Sequence, residues 1–91
     1  MFQTKEDRAQ AVAEINRQIG IRLAALTASQ AKGPADIAAA LGVSVTRVTR
    51  IENGHSDISA AELVLAARAL GVTSAILTGE ERFALIEGSA K

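Results

Sequence analysis

From Lys5 onward, Val12, Ile15, Ile19, Leu23 and Leu26 recur at spacings of three, four, four and three residues. One apolar stripe at that spacing predicts an amphipathic helix running to about Ser29. Thr4, with Asp7 three residues on, resembles a capping box at its start. Gly20 lies inside the stripe, costs roughly 1 kcal/mol relative to alanine and leaves room for a bend. The polar stretch Gln30 to Gly33, followed by Pro34, ends this helix and opens the next. Ile37 and Leu41 then share one face of a short helix over Pro34–Leu41, stopped by Gly42. Ser44 caps a third helix to about Asn53, with Val48 and Ile51 inward. Ser59 and Glu62 form a full capping box ahead of Leu63, Ala66, Ala67 and Leu70, a fourth helix ending at Gly71. Thr73 caps a fifth, very short helix through Leu77, closed by Gly79. In residues 80–87, Phe83 and Ile86 fit a helix whereas Phe83 and Leu85 fit a strand; helix is the expectation, followed by a frayed tail.

Composition narrows this picture. Alanine supplies 19 of the 44 apolar residues, and there is a single proline with no tyrosine or tryptophan. The best helix former thus dominates and the aromatic strand formers are scarce, so an all-α class is expected. Small side chains bury little each, and a second subunit would add useful apolar area. The 91 residues suit one domain. The chain has no cysteine, which excludes disulfides and thiolate metal sites and fits a cytoplasmic protein. No apolar run is long enough for a membrane span, and MFQTKEDR has no signal-peptide core.

Net charge is zero, which weighs mildly against nucleic acid, but its distribution is uneven. Residues 16–56 carry five basic and two acidic side chains, +3 in all; residues 57–91 sum to −2 and residues 1–15 to −1. The positive section contains the third helix, whose side away from Val48 and Ile51 bears Thr46, Arg47, Thr49, Arg50 and Asn53. A short helix, a glycine turn and a second helix with a polar outer side make up a helix-turn-helix unit, which sets the second helix in the major groove of DNA.

At Ile37-Ala-Ala-Ala-Leu-Gly-Val-Ser44 and Arg50-Ile-Glu-Asn-Gly54 the likeness becomes specific. The chain resembles the Cro/CI-type (lambda-repressor-like, XRE) helix-turn-helix family from about Ile19 to Gly79, with Glu62-Leu63, Ala69 to Val72 and Ile76-Leu77 extending the match. That resemblance implies a five-helix bundle with the third helix in the major groove. It further implies a transcriptional regulator, a repressor or an activator with repressor the expectation here, acting as a homodimer on a palindromic operator in double-stranded DNA. Residues 16–79 would form the DNA-binding domain. Residues 1–15 would extend the first helix as a dimer contact, and residues 80–91 would add a short C-terminal element.

Carried across residue by residue, Ser44, Val45 and Thr46 open the recognition helix and Arg50 lies one turn on. Arg50 suits bidentate bonding to guanine O6 and N7, Thr46 a base or phosphate, and the Val45 methyls a thymine methyl. Arg47 and Thr49 flank this side and suit phosphate, as do Asn53 and the Gly54 backbone at the helix end, with His55 a weaker candidate. Two positions depart from the family. Pro34 stands where a phosphate-binding glutamine is usual, and Thr27 stands where an arginine commonly pairs with the glutamate matching Glu52. Glu52 is then expected to cap or to pair elsewhere, with Arg22 the nearest candidate.

Set against this reading is an antitoxin or adaptor module whose main role is to bind a toxin or other partner protein. An enzyme is not expected. There is no nucleophile–base pair, no metal-ligand set and no phosphate loop, and the glycines at 42, 54, 71 and 79 all read as helix stops. No cofactor is implied. The lone His55 reads as solvated loop, and Ser29, Ser44, Ser56 and Ser59 as caps and turns.

Overall fold

The computed structural model describes residues 3–80. Among them are five helices and no strand: α1 (Lys5–Ser29), α2 (Pro34–Leu41), α3 (Val45–Glu52), α4 (Ala60–Leu70) and α5 (Ser74–Thr78). The expectation for residues 81–87 lies outside the described residues.

Local chemistry sets the boundaries. Thr4, Ser44 and Ser59 each accept, through the side-chain hydroxyl, the backbone N–H three residues on. The Glu62 carboxylate returns the bond to the Ser59 N–H at 2.9 Å, completing the capping box. Gly33 has no side chain to cap α2, and Asp36 takes the Gly33 N–H at 2.8 Å. At the far end of α2, Gly42 turns left-handed at φ 71° and reverses the chain toward α3. The end of α1 reaches the same kind of turn without glycine, since Ala31 holds φ 57°.

The five helices close around Leu23, Ile37, Ala38, Leu41, Val48, Ile51, Ala66, Ala67, Leu70 and Leu77, with Leu26, Val43, Ile58, Leu63 and Val72 against their edge. Each helix contributes to this core, so the glycine turn between α2 and α3 is locked by packing on both sides. The long stripe of α1 divides in two. Ile19 and Leu23 are buried in the bundle, whereas Val12 is half-buried and Ile15 is 56% exposed.

Gly20 has a physical reason that the pattern did not supply. A Cβ placed there would lie 2.5 Å from the carbonyl oxygens of both Ile51 and Glu52. The missing side chain lets the C-terminal end of α3 cross directly on the backbone of α1. Thr27, also on α1, is buried and donates its hydroxyl to the Leu23 carbonyl at 2.6 Å. Its hydroxyl is thus satisfied within its own helix.

Candidate nucleic-acid interface

The candidate surface is built on α3. Val48 and Ile51 are anchored in the core, which fixes the rotation of the helix about its axis. Helical periodicity then leaves Val45, Thr46 and Arg50 on the outer side. Val45 is 46% exposed, and Ser44, Thr46, Arg50 and Asn53 are exposed as well. The Ser44 hydroxyl accepts the Arg47 N–H at 3.1 Å, so this serine is tied to the start of the helix.

The remaining candidates have different surroundings. Arg47 is bound to the protein itself: its Nε and Nη2 donate to the Glu62 carboxylate at 2.8 and 2.7 Å, and Nη2 also donates to the Asp57 carbonyl at 3.1 Å. With Glu62 only 13% exposed against 36% for Arg47, the pair is a two-pronged clamp between α3 and the start of α4. The guanidinium holds the Glu62 carboxyl down at about 2, helped by the Ser59 backbone and hydroxyl. Thr49 is half-buried and turns its hydroxyl back to the Thr46 carbonyl at 2.9 Å.

Gly54 differs from the expectation that its backbone faces phosphate. Its N–H goes to the Ile51 carbonyl at 3.0 Å, and the His55 N–H goes to the Arg50 carbonyl at 2.8 Å. These two bonds form a Schellman turn, so the donor is consumed in ending α3. The turn packs on α1, with a Cβ at Gly54 falling 3.0 Å from the Arg17 Cα. Glu52 likewise departs from its expectation. Among the described residues it has no ion pair with Arg22, whose guanidinium lies instead against Gly79. Burial alone pushes the Glu52 carboxyl up.

Two further residues, both in the segment after α3, enter the surface. Ser56 accepts from Arg50 Nε at 3.2 Å. Asp57 accepts the Asn16 side-chain amide at 2.6 Å, which ties the loop after α3 to α1. Their separation from their partners, six residues in one case and 41 in the other, explains why helical spacing does not reveal them.

No helix among the described residues is long and apolar enough to cross a membrane. A protein-family model described as helix-turn-helix matches residues 29–77, more than half of the 91-residue chain. The match begins at the last residue of α1 and runs to Leu77 in α5. No curated protein and no solved structure matches the chain.

Proposed function

This chain belongs to the Cro/CI-type helix-turn-helix family of DNA-binding transcription regulators, and from that premise we propose that it is a repressor acting as a homodimer on a two-fold symmetric operator. The observation that carries this reading is the exposed strip of Val45, Thr46 and Arg50 on a helix whose opposite side is fully buried. A beta-branched pair followed by an arginine one turn on suits contact with a thymine methyl, a polar base edge and a guanine. Asn53, at the exposed C-terminal end, suits a phosphate. Arg47 acts here by steadying α3 through Glu62. No cofactor is needed, and the protein works in the cytoplasm where its DNA is.

The dimer assignment rests on Ile15, exposed on a part of α1 that precedes the matched segment. An apolar side chain on such an extension suits a contact with the same helix of a second copy. Residues 16–79 are the DNA-binding unit in this reading. Pro34, in place of a phosphate-binding side chain, together with the zero net charge, favours a second reading as an adaptor or antitoxin that binds another protein.

Selection of bound fragments from random duplexes tests both. A homodimer enriches a symmetric sequence with half-sites about 34 Å apart along one side of the DNA. Its affinity falls steeply with salt. Absence of enrichment at low ionic strength removes the regulator reading, and a tightly co-purifying second protein in its place establishes the adaptor.

A further inference from the structure

We propose that Ser56 is a specificity-determining residue of the DNA surface, because its hydroxyl holds the Arg50 guanidinium so that the two terminal nitrogens are left to fork a guanine. The proposal rests on the reading above that Arg50 meets a base.

An arginine offers five N–H donors in a rigid fork and can meet O6 and N7 of guanine in two ways. It can use one N–H from each terminal nitrogen, or it can come side-on with Nε and one terminal nitrogen. Arg50 Nε already donates to Ser56 Oγ at 3.2 Å, which consumes the donor that the side-on approach requires. The end-on approach remains. An exposed arginine without such a tether samples many rotamers and settles as readily on a phosphate, where it carries no sequence information.

A tether is useful only if its anchor is fixed, and the loop bearing Ser56 is pinned on both sides. The residue before it, His55, gives its N–H to the Arg50 carbonyl at 2.8 Å. The residue after it, Asp57, takes the Asn16 amide through its carboxylate at 2.6 Å and Arg47 Nη2 through its carbonyl at 3.1 Å. Ser56 itself is half-buried. The loop therefore gains three attachments, from α1 and from both ends of α3, before the hydroxyl meets Arg50. Little further order has to be imposed when the bond forms. Asn16 lies ahead of the matched segment, so the first helix reaches the recognition side chain through this loop.

The test uses the full chain and the half-site obtained by selection. Binding to that site and to the same site with the Arg50-facing guanine replaced is compared for wild type, Ser56→Ala, Ser56→Thr and Arg50→Ala. Loss of the tether should reduce the preference for guanine by about threefold to tenfold in Ser56→Ala, the range for one typical net hydrogen bond. Ser56→Thr, which keeps the oxygen, should restore it, and the salt slope should stay at the wild-type value in both. A Ser56→Ala protein with undiminished guanine preference, beside an Arg50→Ala protein that has lost it, overturns the role of Ser56 alone. An Arg50→Ala protein that binds both duplexes as wild type does overturns the underlying reading of Arg50.

Discussion

Gly20 and Glu52 touch backbone to backbone: a Cβ on the glycine would lie 2.5 Å from the glutamate's carbonyl oxygen. A helix interior normally favours alanine over glycine by roughly 1 kcal/mol. Here the crossing of α1 and α3 reverses that preference, since two carbonyl groups cannot move aside as a side chain could. Gly20→Ala is expected to destabilise the fold by about 1–3 kcal/mol, the range for overpacking. For a domain of this size that lowers Tm by at least about 4 °C. A Gly20→Ala protein melting at or above wild type would show that the two helices do not cross this closely.

Ala31 presents the opposite case. It holds φ 57° at the end of α1, where the Lys32 N–H reaches back to the Thr27 carbonyl at 3.0 Å. The left-handed region costs an L-residue roughly 1–2 kcal/mol, and glycine escapes that cost while loosening the unfolded chain by about 0.4–1 kcal/mol. Ala31→Gly should therefore gain about 0.6–1 kcal/mol by difference, visible as a higher urea midpoint with an unchanged slope. A lower midpoint would contradict the left-handed assignment.

The Arg47–Glu62 clamp sets an acid limb. The Glu62 carboxyl falls from an ordinary 4.5 to about 2 in the folded protein. A carboxylate depressed in this way stabilises the fold above pH 4.5, and that contribution is lost as pH falls from 4.5 toward 2. With Arg47 partly exposed to screening, the contribution is on the order of 1 kcal/mol at neutral pH. Glu62→Gln should melt lower at pH 7, and its Tm should converge on that of wild type near pH 2. Glu14 is also lowered to about 2 by Arg17, but both members of that pair are 55% exposed, so Glu14→Gln should change little. Equal effects from the two glutamine variants would remove the distinction.

The same clamp leads to the expectation that Arg47 stays on Glu62 when DNA binds. A phosphate contact adds close to one unit to the slope of log K against log salt. Arg47→Met should leave that slope within a few tenths of wild type while lowering Tm. A fall of about one unit would place the guanidinium on phosphate in the complex, with Glu62 released.

Much of this protein is decided by near neighbours in the chain. Caps at Thr4, Ser44 and Ser59, left-handed stops at Gly42 and Gly71, and the stripe carrying Ile19 and Leu23 act over three or four residues. Local spacing therefore sufficed for the five helices, the family likeness and the outward side of α3. Contacts between elements were not legible, because the residues involved lie far apart in sequence and their types are ambiguous. Gly20 read as a weak point, although the backbone of α3 requires it. Arg47 reads as a phosphate contact from its place on the helix, and only the packing of α4 brings Glu62 within 2.7 Å of it. Ser56 looked like turn chemistry until the pinned loop set it beside Arg50. Periodicity records which way a side chain faces. What it meets there depends on the packing of the other helices.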